Sequence, residues 1–261
     1  MFSSEAAIAL KGVGAVIYRE MRLFFGNKAT IVLSVMTPLI YMLLFSTSLS
    51  KMMPMVNYNG VSVSYIEFVL PGHLVMSVLS TALMTSQSVF NEKISNMLLE
   101  ILSTPVQHKA YMIGKMFAST SLALIQSMLI FLCGILVFRV PLSFVRFLGV
   151  LALNTLVCVI ISGFYMTVMG LVKQFRTFIM TANILTNVIM FASSIFYPAE
   201  QIAPGLRLFA KISPVTYCSD AIRSFFLLGN VPRLLMLLII GLAVCFTVTS
   251  VTVFRKRFAE V

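Results

Sequence analysis

Six stretches of this 261-residue chain contain no Asp, Glu, Lys or Arg: 29–50, 68–91, 116–138, 147–172, 177–199 and 234–254. No other sequence feature constrains the fold as strongly. A helix needs about 20 apolar residues to cross roughly 30 Å of hydrocarbon, and every one of these stretches is long enough. A barrel strand needs about half that length and an alternation of apolar and polar residues, which is missing here. Composition excludes the remaining classes. Hydrophobic residues make up 59% and charged residues 10%, against about 25% charged in soluble domains. Such a chain cannot cover a water-soluble surface, and it is too apolar to be disordered. The expectation is an all-α integral membrane protein. It is a single transmembrane domain over 1–261, with six transmembrane helices.

The charges then set the direction. There are 19 Lys+Arg against eight Asp+Glu, giving +11. In a soluble protein that excess would suggest nucleic acid, but in a membrane protein it reports topology. With both termini inside, twelve basic residues fall in 1–28, 92–115, 173–176 and 255–261, and seven in 51–67, 139–146 and 200–233. The bias places both termini in the cytoplasm, with 1–28 as a cytoplasmic and interfacial segment and 255–261 as a cytoplasmic tail. The first 28 residues carry charges and no apolar core ending at a small-residue cleavage site, so no cleaved leader is expected. Cys133, Cys158 and Cys245 lie inside the spans and Cys218 lies between two of them, with no spacing that suggests zinc or a disulfide framework.

Three segments between the spans are patterned. Before the first span, Val13, Val16, Ile17, Met21 and Phe24 follow helical spacing, with Arg19 and Arg22 off that stripe. This predicts an interfacial amphipathic helix ending at Gly26-Asn27. Between the second and third spans, 92–115 begins with a short helical pattern that Pro105 ends at Thr104. It reads either as an element that transmits force to a soluble partner or as an ordinary connector. Between the last two spans, 200–233 holds two short apolar helical pieces broken at Ser213-Pro214. Asp220 and Arg223 pair at i, i+3. The pieces fit a re-entrant hairpin entering from the outer face, the alternative being two helices lying flat.

Within the spans, His73 is the one residue with an ionisable side chain of acid–base use. Asn183, Asn187 and Ser194, with Met190 among them, share a face of the fifth span. That face suits a substrate cavity or a dimer partner, or helix packing. Small residues on the fourth span (Thr155, Ser162, Gly163, Thr167 and Gly170) suit packing. No nucleotide loop, metalloprotease motif or carboxylate pair is present, so no catalytic, cofactor or metal residues are expected in this chain. Energy for active transport has to come from another chain.

Four ordered motifs resemble the permease subunits of ABC-2 type ATP-binding-cassette exporters. They are Tyr18-Arg19-Glu20 before the first span, Glu100-Ile101-Leu102-Ser103-Thr104-Pro105 followed by Gly114-Lys115, Phe196-Tyr197-Pro198, and Ser213-Pro214-Val215-Thr216-Tyr217 with Asp220-Ala221-Ile222-Arg223. Ser213 stands where Asn is common in the family. The resemblance implies a half-transporter in the inner membrane. Two copies of a cytosolic ABC ATPase, which bind the ATP and Mg, would work with this permease and a second copy or a related chain. It also implies site roles. Glu92, Lys93, Asn96, Glu100, Thr104 and Pro105 would couple to the ATPase, and replacing Glu92 and Glu100 with Lys is expected to uncouple transport. Tyr18, Arg19 and Arg22 would belong to the interfacial helix. Pro214, Tyr217, Asp220 and Arg223 would form the re-entrant turn. Family cargoes include drugs, lipids, glycolipids and polysaccharides. The apolar, Met- and Phe-rich spans favour a hydrophobic or amphipathic cargo over a long polysaccharide. A glycan-lipid exporter, a channel, or a membrane assembly subunit without transport activity are the alternatives.

Overall fold

Each of the six charge-free runs contributes a long helix. The structure, a computed structural model, describes residues 2–103, 108–198 and 204–258. Six of its helices are long and apolar enough to cross a membrane. The chain begins with α1 (Phe2–Gly26), turns at Asn27, and enters α2 (Lys28–Met52), whose helix continues through Pro38. Then follow α3 (Tyr65–Ile94), the short α4 (Met97–Ser103), α5 (His108–Phe138) and α6 (Phe144–Leu171). The remainder is α7 (Phe175–Ala192), α8 (Pro204–Ile212), α9 (Pro214–Leu228) and α10 (Arg233–Phe258).

One element departs from an all-helical chain. Met55–Tyr58 (β1) and Val61–Ser64 (β2) form a two-stranded antiparallel hairpin between α2 and α3. Its turn is Asn59-Gly60, both at positive φ (50° and 84°). That geometry is the one an Asn-Gly hairpin turn requires, and the signature is legible in the sequence. Ser64 then opens α3, its backbone N–H donating to Glu67 Oε2 at 3.1 Å.

The helix α3 is the spine of the domain. About nine tenths of its membrane-crossing stretch is buried, whereas α2, α7 and α10 are mostly bare. It packs against α5, α6, α2 and α9, and α6 packs most extensively on α10. On that α6–α10 seam a Cβ on Gly163 would lie 2.9 Å from the Phe246 carbonyl oxygen. Thr167 and Thr249 meet nearby, their hydroxyls 3.4 Å apart. The small-residue face of the fourth span is thus a packing seam.

The fifth span is shorter than its charge-free run. The run extends to 199, but α7 ends at Ala192, and 193–198 are turns and bends. The physical reason is a competing set of donors. The carbonyls of Ser194, Ile195 and Phe196 accept hydrogen bonds from Arg223 and Tyr65 instead of continuing a helical ladder. The break at Ser213-Pro214 appears where expected, with Pro214 opening α9. The two pieces differ sharply. The helix α9 is buried against α3 and α6, while α8 exposes Leu208, Phe209 and Ile212.

Candidate functional site

The residues flagged in the sequence gather at opposite ends of α3. At the α1 end, the buried face of α1 carries Val16 and, one turn later, Glu20, which is 6% exposed. Gly114 allows the approach of α5, since a Cβ there would lie 2.7 Å from Val16 Cβ. The approach brings Glu20 to Lys115 Nζ at 2.8 Å. Lys115 also reaches Glu92 Oε1 at 2.8 Å. Arg19 closes the ring, its Nη1 lying 2.9 Å from Glu20 Oε1 and 2.7 Å from Glu92 Oε1. The Tyr111 hydroxyl donates to Glu92 Oε2 at 2.5 Å. Two carboxylates and two cations therefore form a charge-balanced box that ties α1 to the adjoining ends of α3 and α5. Burial alone would lower the Arg19 pKa. Its hydrogen bond to Glu92, with the charges of Glu92 and Glu20, more than offsets this and holds the guanidinium above its ordinary value.

The box changes the reading of Glu92. It was expected among surface coupling residues, yet it is 5% exposed and fully engaged inside the protein. A Lys at 92 would put a third cation beside Arg19 and Lys115, so its effect would be structural before it was functional. Glu20, Tyr111 and Lys115 were not singled out as Glu92 partners. The available signal was Lys115 itself, a cation directly before a charge-free run, which needs a counter-charge.

Beside the box hangs α4. Ser95 and Asn96 break α3 from α4, with Asn96 in the left-handed region (φ 58°) that Asn tolerates. Asn96 O accepts from the Glu100 N–H at 3.2 Å. Leu98 is buried and anchors the helix, Arg19 Nη2 touches Met97 Sδ at 3.3 Å, and Asn96 and Glu100 are exposed. Lys93 is half-buried. Thr104 and Pro105 lie outside the described residues. On α1, Tyr18 and Arg22 face outward while Arg19 turns into the box.

At the other end of α3, Arg223 of α9 is fully buried. Its Nε donates to Phe68 O at 2.9 Å, Nη1 to Asp220 Oδ1 at 2.6 Å, and Nη2 to Ser194 O at 2.6 Å and Ile195 O at 3.3 Å. The Phe68 ring lies 3.9 Å from the guanidinium carbon. Ser194, expected on a helix face with Asn183 and Asn187, instead donates to Asp220 Oδ1 at 2.8 Å. Tyr217 reaches back across the Pro214 break to donate to Lys211 O at 2.5 Å. Gly72 completes the knot, because a Cβ there would lie 2.5 Å from Ile195 O. His73 is buried next to it, 3.3 Å from Ser46 Oγ and edge-on to Phe196.

Between the two ends, Asn183, Thr186, Asn187 and Met190 of α7 face Leu33, Thr37 and Tyr41 of α2 across Ser80 and Gln87 of α3. They enclose a groove of about 340 Å³. Three of the four residues proposed for a cavity or dimer face therefore line one space. Among the described residues no group of three or more His, Cys, Asp or Glu could hold a metal ion.

A family model described as ABC-2 type transporter matches residues 11–227. The match runs from within α1 to the penultimate residue of α9. No curated protein matches the chain.

Proposed function

Because the chain belongs to the ABC-2 type transporter family, as a multi-pass membrane component and not a nucleotide-binding one, we propose that it is the permease half of an ATP-driven exporter of hydrophobic or amphipathic compounds. The observation that carries the reading is α4, a short helix with an exposed polar face. It is suspended between α3 and α5 and braced by the ionic box. A cytosolic ABC ATPase, two copies per transporter, binds ATP and Mg and docks on the α3–α4 corner through Lys93 at the end of α3, Asn96 in the break and Glu100 on α4, with Thr104 and Pro105 following. Closure of the ATPase pair pushes α4. The box passes that displacement to α3, α5 and α1 together, because the ion pairs among Arg19, Glu20, Glu92 and Lys115 link those three helices.

The two permease chains face each other across α2 and α7, and the groove at Asn183, Asn187 and Met190 lies on that face. Met side chains adapt to varied apolar shapes, which favours drug- or lipid-like cargo over a polysaccharide. The domain lies in the inner membrane with both termini, α1 and α4 in the cytoplasm. There the basic residues of that side meet anionic lipid. The segment 200–233 is the outer re-entrant element, α9 entering and α8 resting at the interface.

The test is reconstitution of the chain with its ABC ATPase in inverted vesicles. ATP-dependent uptake of a hydrophobic dye is expected, abolished by blocking ATP hydrolysis. Uptake without the ATPase would identify a channel. An ATPase complex that moves glycan-lipid and leaves the dye outside would reassign the cargo.

A further inference from the structure

A second groove, of about 290 Å³, runs between α5, α6 and α10, and the export reading makes no use of it. Ile113, Phe117 and Leu124 of α5 line it, with Thr155 of α6 and Thr247 and Val251 of α10. Thr155 Oγ1 donates to Leu151 O at 2.9 Å, and Thr247 Oγ1 donates to Ala243 O at 2.7 Å. Both protons are committed within their own helices, so these threonines ask little of an occupant. Ile113 and Phe117 are exposed, which leaves apolar surface along the opening. The lining suits an apolar chain. From Ile113 to Leu124 the helix rises about 16 Å, at about 1.5 Å per residue. One leaflet is half of roughly 30 Å of hydrocarbon. The groove is therefore about one leaflet deep, the reach of a single acyl chain.

One end of the groove lies at the level of the ionic box. There α5 and α10 run antiparallel. Ser250 Oγ donates to Met116 Sδ at 3.2 Å, and Phe254 stacks on Tyr111 with ring centroids 6.0 Å apart. Tyr111 in turn holds Glu92. Arg255 follows Val251 by one helical turn, so it stands on the stripe that lines the groove, just beyond its end. Arg255 and its neighbour Lys256 are exposed, and among the described residues no acid pairs with either. The buried carboxylates at this level, Glu20 and Glu92, are already balanced by Arg19 and Lys115 and do not cancel them. An apolar slot one leaflet deep thus ends at two uncompensated cations, whose long stems can lift their charges to the headgroup level.

We propose that this groove holds one acyl chain of an anionic phospholipid, with its headgroup on Arg255 and Lys256. The export reading makes its leaflet the cytoplasmic one. Only that assignment rests on the reading, since the site is tested on the permease alone. The full chain is placed in phosphatidylcholine nanodiscs with a trace of photoreactive phosphatidylglycerol or photoreactive phosphatidylcholine. Each probe carries its reactive group midway along one chain, and label positions are read by peptide mapping. Phosphatidylglycerol is expected to label 113–124 and 247–251 about thirtyfold more strongly than phosphatidylcholine, about fivefold for each basic residue. Arg255→Gln combined with Lys256→Gln should remove that preference. Arg22→Gln, which removes an exposed cation on α1, should leave it intact. Val251→Trp should fill the groove and block both probes. Equal labelling by the two lipids, labels confined to other helices, or a preference that survives the Gln pair overturns the proposal. So does a disulfide between two copies of Ile113→Cys, which would show a second chain covering the groove. Groove labelling by a permease that exports nothing keeps the lipid site and removes the export reading. Export by a permease whose groove takes no label does the reverse.

Discussion

The two ends of α3 are both held by buried charge, and they are built on opposite plans. At the α1 end, side chains bind side chains, and two carboxylates and two cations from three helices neutralise one another. At the hairpin end a single guanidinium is held mostly by backbone carbonyls, and its one carboxylate sits on the same helix. The first arrangement is a joint between helices that charge alone could reverse. The second is a fitting, in which a planar fork satisfies carbonyls left open where α7 ends. A moving input suits the joint. A fixed outer frame suits the fitting.

Removal of the fork should have the largest effect. Arg223→Leu takes the guanidinium away from Asp220 Oδ1 and from the carbonyls of Phe68, Ser194 and Ile195. A loss of about 3–5 kcal/mol is expected, seen as collapse of the folded fraction on gel filtration in detergent. Arg223→Lys should recover little, because an ammonium cannot span those three carbonyls. Full recovery with Lys would erase the distinction between the two ends.

The box should break more gently and be repairable. Glu92→Gln leaves Glu20 to neutralise one cation, so about 2 kcal/mol is expected. Glu92→Lys alone should be worse. Adding Lys115→Glu should return part of the loss, as a coupling of about 0.5–3 kcal/mol in thermal-unfolding midpoints. An exchange of Asp220 and Arg223 should return nothing. If both exchanges behave alike, charge and shape are not divided between the ends.

How much of this was legible follows from the same contrast. Six spans were visible because a bilayer forbids charge over a fixed length, and a charge-free run is a one-dimensional signal. The Ser213-Pro214 break was visible because it is local; the Asn59-Gly60 turn is equally local, yet the all-α expectation contains no hairpin. The end of α7 was not visible, since what stops the helix is Arg223, far away in sequence. The partners of Glu92 were hidden for the same reason, since Arg19 lies 73 residues away and Lys115 lies 23 away. Ser194 was assigned to a helix face by spacing, and spacing ceases to apply once the helix has ended.

Gly72→Ala probes the fitting without touching charge. Its Cβ would meet Ile195 O at 2.5 Å, and that oxygen is held in place by Arg223. A cost of about 1–3 kcal/mol is expected, read as a lower unfolding midpoint. The matching change at the joint is Gly114→Ala, whose new Cβ meets the side chain of Val16. That Cβ would also lie 3.2 Å from Val13 O, so a comparable cost is expected.

Glu100→Lys should be the mildest change of all in stability. Glu100 is exposed and its side chain takes no part in the box, so the unfolding midpoint should move by no more than about 0.5 kcal/mol. Its effect belongs in transport. If α4 is the contact with the ATPase, reversing this charge should lower ATP-driven uptake several-fold while the permease remains folded and inserted. Glu92 and Glu100 stand eight positions apart, and the sequence offers no reason to treat them differently. The fold gives one to the box and the other to the outer face of α4. A Glu92→Gln protein that transports normally once stabilised by a compensating change, beside a stable Glu100→Lys protein that does not, would establish that division. Normal uptake by Glu100→Lys would remove α4 as the docking element and leave the box as a brace with no input to relay.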